Sequence, residues 1–233
     1  MVSSRSGQPN RRSGAPMREQ LIEAGIRLLE EAGPEALQAR RVAAEVGAST
    51  MTVYTHFDGM PGLLEAIVGE AFARFGAALA SIAPTDDAIA DFLVMGYNYR
   101  QYALANPQRY LLMFGLTPGQ TGKPLGHNLI DEPITGIAGD TFEQLVTVVE
   151  RMITTERIRH DPPRHAAARI WGLIHGVVIL ELTGQLGTEP HAATTVLLPA
   201  TLDLLAGMGA ERGRLELSAQ RAVTTIAAES GRT

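Results

Sequence analysis

From Met17 onward, apolar residues recur at helical spacing. Leu21, Gly25, Leu28, Leu29 and Ala32 fall at i, i+4, i+7, i+8 and i+11, while Glu19, Glu23, Arg27 and Glu30 point the other way. One apolar stripe opposed by charge is the pattern of a helix packed by a single face. Gly33-Pro34 closes it, Gly as a left-handed cap and Pro because it cannot continue the helix. A short second helix is predicted over about 38–46, burying Val42, Ala43 and Val46. Gly47 ends it, and Ser49 stands where the N-cap of a third helix, running through Phe57, is expected. Asp58-Gly59-Met60-Pro61-Gly62 reads as a break before a fourth helix from Leu63 to about Ala80.

The remaining chain continues in the same period. Residues 86–105 carry Phe92, Met95, Tyr99 and Tyr102 along one stripe, and Pro107 opens a shorter helix through Phe114. Residues 115–139 are Gly- and Pro-rich and read as a long loop. Asp140-x-x-Glu143 has the form of a capping box, starting a helix to about Arg157. After the Asp161-Pro162-Pro163 turn, residues 166–182 are apolar almost all round, interrupted by Arg169, His175 and Glu181. Residues 191–208 repeat that character, with Pro199 expected to kink or restart the helix. Leu215, Ala219, Ala222, Val223 and Ile226 mark a last amphipathic helix. Strand alternation is missing throughout, so the fold class is all-α.

Composition narrows the function classes. The 233-residue chain is 45% hydrophobic, which predicts a globular protein with a sizeable core. It has no Cys, which removes disulfides, thiolate nucleophiles and Cys-ligated metals and makes a cytoplasmic setting the simplest expectation. Residues 1–16, rich in Ser, Gly, Pro and Arg, are expected to be a disordered arm; no apolar segment follows them, so no secretory signal is expected. No uninterrupted apolar run reaches the length of a membrane span, and no membrane partner is expected.

The overall charge of −5 is unevenly spread: residues 1–57 hold seven Arg against six Glu, so the acidic excess lies in the remainder. A neutral-to-basic head on an acidic body fits a segregated anion-binding end, and equally a solvated tail with ordinary surface scatter.

The second and third predicted helices sharpen that choice. Ala43-x3-Gly47-x5-Val53 has helix-turn-helix spacing. A small residue at 43 lets the helices approach, Gly permits the turn, and Val53 packs the second helix onto the first. The opposite face of that second helix would enter the major groove, with Thr50, Met51 and Thr52 nearest the base edges. Tyr54 and His56 are placed to reach phosphates. Spacing alone leaves a chance match open.

More of the segment bears on the point. Gly33-Pro34-Glu35-Ala36-Leu37-Gln38-Ala39-Arg40-Arg41-Val42-Ala43, then Gly47-Ala48-Ser49 and Val53-Tyr54-Thr55-His56-Phe57, resembles the N-terminal domain of TetR-family transcriptional regulators over about residues 17–67. The resemblance implies that Gln38, Arg40, Ser49, Thr50, Met51, Thr52, Tyr54 and His56 face double-stranded operator DNA. Two departures stand out. Met60 occupies a position where the family commonly carries a phosphate-contacting Lys, and Gln38 replaces the usual Ser or Thr at the entrance to the second helix. Residues 99–115 together with Trp171-x3-His175-Gly176 and Leu180-Glu181-Leu182 are similar to the WHG-type effector domain of the same family, spanning roughly 86–210.

These readings imply an N-terminal three-helix helix-turn-helix domain over 17–62 and a larger helical effector-binding and dimerisation domain over 63–233. The effector pocket is expected among Phe92, Met95, Tyr99, Tyr102, Tyr110, Met113, Phe114, Trp171 and His175. Buried Tyr hydroxyls need partners, which a ligand can supply. A plain core packing of these residues, with Trp171 and His175 a satisfied pair one turn apart, remains the competing reading. Helices 166–182 and 191–208, apolar on more faces than one domain buries, are expected to form the homodimer contact. The expectation is therefore a homodimeric repressor released from a near-palindromic operator by a small-molecule effector. The alternative is an α-helical carrier or enzyme using Tyr99, Tyr102, Trp171 and His175. Against catalysis, no second carboxylate or nucleophile is spaced to complete a reactive set. No cofactor is expected. No metal is expected either, since His160-Asp161-x3-His165 spans a Pro-Pro turn without helical spacing.

Overall fold

The computed structural model describes residues 16–81, 83–117, 136–187 and 192–231; all but the last residue of the expected arm at 1–16 and most of the 115–139 loop lie outside the described residues. Every regular element among them is helical: α1 (Met17–Ala32), a 3-10 turn (Pro34–Ala36), α2 (Ala39–Glu45), α3 (Thr50–Phe57), α4 (Met60–Leu79), α5 (Ala88–Ala105), α6 (Pro107–Met113), α7 (Ile137–Thr154), α8 (Pro163–Leu182), a π-helical turn (Ala193–Leu197), α9 (Leu198–Gly207) and α10 (Arg212–Ser230). The chain divides into two compact units, residues 1–67 and 68–233.

The first unit closes around Leu21 and Leu29 of α1, Val42 and Ala43 of α2, Val53 of α3, and Leu63 and Ile67 of α4, all buried. Gly25 is required there: a Cβ would lie 2.5 Å from Ile67 Cδ1. Gly33 has positive φ (74°) but ψ of 179°, so it is extended rather than the left-handed cap expected. The following Pro34 explains this, because a residue before proline is pushed to extended ψ. The expected break at 58–62 is shorter than the sequence suggested. Asp58 (φ 55°) and Gly59 (φ 106°) reverse the chain in two residues, so Met60, Pro61 and Gly62 form the first turn of α4 rather than a loop. Proline fits a first turn, where its missing N–H has no partner to lose.

In the second unit, α5 packs against α7, α8 and α10, and α8 against α7 and α9. The core runs through Phe72, Phe75, Phe92, Tyr99, Tyr110, Met152, Ile170, Val178 and Leu205. Asp87 caps α5, its carboxylate accepting from the Ala90 N–H at 3.2 Å. Two expectations fail. α7 begins at Ile137 with Gly136 at its cap, so Asp140 sits inside the first turn and forms no capping box. On α10, Leu215 and Ala222 are buried but Val223 is 60% exposed, so the apolar stripe is narrower than the sequence suggested. Pro199 does restart the helix: it lies in the first turn of α9, after the π-helical turn.

Helix α8 is long and apolar enough, by length and composition, to cross a membrane. Its Ala166, Ala167, Ile170, Ile174, Val177 and Val178 are instead buried against protein, and Arg169 pairs with Asp161. One face of the helix is thus packed against protein and the other is open.

Candidate nucleic-acid interface and effector-domain core

Helix α3 separates its residues cleanly. Val53 and Phe57 go inward, and Ser49, Thr50, Met51, Tyr54, Thr55 and His56 are exposed, with Thr52 half-buried. Met51 and Tyr54 are large apolar-bodied side chains left 69% and 53% exposed. The two lie three residues apart and so form a small apolar patch on the outward face of the helix. Thr55 donates its hydroxyl to the Met51 carbonyl at 3.0 Å, whereas Ser49, Thr50 and Thr52 make no such bond among the described residues. The turn before α3 has the left-handed Gly47 (φ 68°) that the spacing required.

Ser49 occupies the N-cap position with extended backbone, but its side chain makes no capping bond. Gln38 likewise sits at the N-cap of α2 without capping it; its amide donates to the Glu35 carbonyl at 3.1 Å instead. Gln38 and Arg40 are both exposed at the start of α2. Arg18 lies over the Phe57 ring, 5.2 Å from its centroid, so a cation sits at the C-terminal end of α3 through a cation–π contact.

In the second unit the aromatic residues form one network in which Phe75 packs on Tyr99, Tyr102, Tyr110 and Phe114. Tyr99 Oη, Tyr110 Oη and His175 Nδ1 form a closed triangle, with Tyr99–Tyr110 at 2.7 Å, Tyr99–His175 at 3.0 Å and Tyr110–His175 at 2.8 Å. The His175 ring stacks on Trp171 (4.8 Å between centroids, 23° apart) and meets Phe114 edge-on at 4.6 Å. Burial pushes both phenols well above the ordinary tyrosine range. It pushes His175 down to about 4, so the imidazole is neutral at physiological pH. The other expected residues surround the triangle, Tyr102 meeting it through Phe75, which packs on both Tyr99 and Tyr102. Tyr102 donates its hydroxyl to the Ala71 carbonyl at 3.0 Å, a structural bond. Phe92, Met95 and Met113 belong to the surrounding apolar core.

Two charged constellations had no place in the sequence reading. Arg100 on α5 holds Glu181 on α8 through two hydrogen bonds of 2.8 and 2.5 Å. Asp87 accepts from Ser218 at 2.9 Å and pairs with Arg157 and Arg221. Burial raises the Asp87 carboxyl, but the Ala90 N–H, the Ser218 hydroxyl and the two guanidinium groups outweigh it and hold the group below the ordinary carboxylate range. Beside this cluster a cleft of about 590 Å³ opens, lined by Thr85, Asp86, Leu217, Gln220, Arg221 and neighbours, away from the Tyr–His triangle. His160 and His165 are exposed, and no group of potential ligands suited to a metal occurs among the described residues.

Residues 92–225 match the profile of the tetracyclin repressor-like C-terminal domain, and residues 21–67 that of the bacterial regulatory proteins of the tetR family. The chain belongs to the TetR family. An HTH-type transcriptional regulator of Mycobacterium tuberculosis is 27% identical over 198 residues, covering 82% of this chain and 81% of that protein. Among solved structures, a protein from Rhodococcus sp. RHA1 superposes with a TM-score of 0.68 at 24% identity, over 87% of this chain and 99% of its own. RolR, solved in complex with the ligand resorcinol, shares the fold, with a TM-score of 0.57 at 17% identity over 88% and 93% of the two chains. This TetR-family protein is thus a DNA-binding transcriptional regulator with the family's all-α fold, not an enzyme, and the carrier-or-enzyme alternative falls away. Regulators of this family dimerise, bind DNA operators and respond to small molecules.

Proposed function

We propose that this protein is a homodimeric, cytoplasmic repressor that a small apolar or amphipathic effector releases from a near-palindromic operator. In this reading residues 17–62 bind DNA, preceded by the arm at 1–16, and residues 63–233 bind effector and dimerise. The observation that carries the reading is the outward face of α3: Thr50, Met51, Tyr54 and His56 exposed together on a helix anchored from behind by buried Val53 and Phe57. Thr50, Met51 and Thr52 then meet base edges, while Ser49, Tyr54 and His56, with Gln38 and Arg40 from the start of α2, meet the backbone. That face carries little charge, which suits methyl and hydroxyl contacts at the groove floor and leaves phosphate attraction to the flanks.

Dimerisation through 166–182 and 191–208 draws support from the open side of α8. Leu180 is 38% exposed, and a Cβ added at Gly172 or Gly176 would meet nothing within 4 Å in the protomer. A two-fold contact along that side brings the two helices close. Effector binding is assigned to Tyr99, Tyr110, Phe114, Trp171 and His175, the expected residues that gather at one place. By linkage, effector and operator weaken each other by the same factor. The test is a gel shift with DNA flanking the protein's own gene. Salt-dependent, competitor-resistant binding that Tyr54→Ala abolishes, with the dimer still folded, supports the proposal. No binding to any genomic fragment at low salt refutes it.

A further inference from the structure

The Tyr99–Tyr110–His175 triangle has three short edges and few protons to fill them, and that count fixes the state of the histidine. Each phenol carries one O–H. Tyr110 is fully buried and Tyr99 nearly so, at 0% and 6% exposure, and neither makes a further hydrogen bond as donor among the described residues. With a proton on His175 Nδ1, the ring donates into the triangle and one phenol donates to the other. The second phenol's O–H is then left without an acceptor in a dry core, at the full cost of an unmade bond. With Nδ1 bare, one phenol donates to the other and that one donates to Nδ1, so every buried proton is used. The neutrality imposed by burial removes the doubly protonated ring from consideration. His175 therefore carries its proton on Nε2, the nitrogen for which no acceptor occurs among the described residues.

That nitrogen belongs to a half-buried ring between the face of Trp171 and the edge of Phe114. Glu181, the acid one and a half turns further along α8, is committed to Arg100 and accepts from it twice. We infer that His175 presents Nε2–H as the recognition donor for the effector, and that the effector carries a carbonyl-type acceptor on an apolar body. A cationic amine has no acceptor to offer and meets a donor; a bare hydrocarbon leaves the donor unmade. This rests on the proposal that the triangle lies in the effector site, and it extends that proposal to the chemistry of the ligand.

The test uses the full-length protein with 15N-labelled histidine and three cyclic probes of similar body: cyclohexanone, cyclohexylamine and methylcyclohexane. His175 is assigned by the signal lost in His175→Gln. In the free protein, Nδ1 should resonate as a pyridine-type nitrogen and Nε2 as a pyrrole-type N–H. Cyclohexanone should move the Nε2–H signal saturably, and the other two should not. Trp171 is the sole tryptophan of the chain and stacks on the ring, so its fluorescence gives a second reading of the same site. His175→Gln, which keeps a terminal N–H, should retain cyclohexanone binding, and His175→Phe should weaken it by about fivefold or more.

A pyrrole-type Nδ1 overturns the proton count. An absent cyclohexanone response, or an equal response to all three probes, overturns the acceptor assignment. Because none of these readings involves DNA, a failed gel shift with the probe result intact refutes the repressor proposal alone.

Discussion

Arg100 and Glu181 make one of the most exacting tests of how the second unit is held together. Their side chains are 8% and 10% exposed, and they meet through the two-bond geometry in which a guanidinium best replaces its lost water. Replacing Glu181 by Leu removes the anion and leaves the Arg100 charge in a site that water barely reaches. Breaking a pair of this kind costs about 3–5 kcal/mol, most of it the stranded charge rather than the lost attraction. With a urea slope of about 2 kcal/mol/M, the unfolding midpoint should fall by about 1.5–2.5 M. The double replacement Arg100→Met with Glu181→Leu removes both desolvation penalties and should restore stability to within about 1 kcal/mol of the parent, or exceed it. Glu70–Arg74, a one-turn pair on α4 with 38% and 33% exposure, is the internal control. Glu70→Gln should cost only about 0.3–0.5 kcal/mol. All four proteins are unfolded at one protomer concentration, since a dimer's stability depends on it. If Glu181→Leu moves the midpoint no more than the control does, or the double variant is as unstable as the single, the attribution to buried charge is wrong.

Gly62→Ala places a methyl 2.0 Å from the Phe57 carbonyl oxygen, a backbone atom that no rotamer change can move. Glycine-to-alanine in a helix normally stabilises, yet here thermal unfolding should show a loss of about 1–3 kcal/mol or more, because overpacking outweighs helix propensity. Met60→Lys adds a cation at the start of α4, and if phosphate contact is what the first turn lacks, operator affinity at low salt should rise and the salt slope steepen by about one. Stability should climb as pH rises from about 4 to about 6.5, because the unfolded chain protonates His175 at its ordinary value while the folded one holds it near 4. Urea unfolding across that window should lose this part of the slope in His175→Phe. Asp87 acts at lower pH: its depressed carboxyl contributes stability above its ordinary value of 3.8 that is lost as pH falls through the folded value, and Asp87→Asn should flatten the acid limb of the same curve.

What the sequence made legible follows from the range of the interactions involved. The helix-turn-helix was readable because its determinants are local: Ala43, Gly47 and Val53 lie within eleven residues and the structure uses each as the spacing requires. The errors beside it were local too. Asp58 adopts the left-handed region that glycine usually marks, so the turn closed earlier than Pro61-Gly62 suggested. Asp140-x-x-Glu143 imitated a cap because Gly136, a residue without a side chain to signal, holds the position.

The effector-domain core was legible only in part, for a different reason. Periodicity states which residues of a helix point inward and says nothing of what they meet. The polar interruptions of the apolar helix α8 were plain in the sequence as Arg169, His175 and Glu181, and a polar group inside a core must be satisfied. Their partners were hidden by separation along the chain. Tyr99 and His175 lie 76 residues apart, Arg100 and Glu181 81, Asp87 and Ser218 131. Each interruption nevertheless has a partner of complementary chemistry: a carboxylate for Arg169, phenols for His175, a guanidinium for Glu181. The Glu181 pair is buried and closed by two hydrogen bonds, while Arg169 makes its contact from a side chain 45% exposed. His175 keeps Nε2 outside its pairing among the described residues, and the effector proposal rests on that nitrogen. The competing core reading of Trp171 and His175 accounts for Nδ1 and the stacked ring and gives Nε2–H of this half-buried side chain to solvent. The effector reading gives it to a ligand, and the probe titration separates the two.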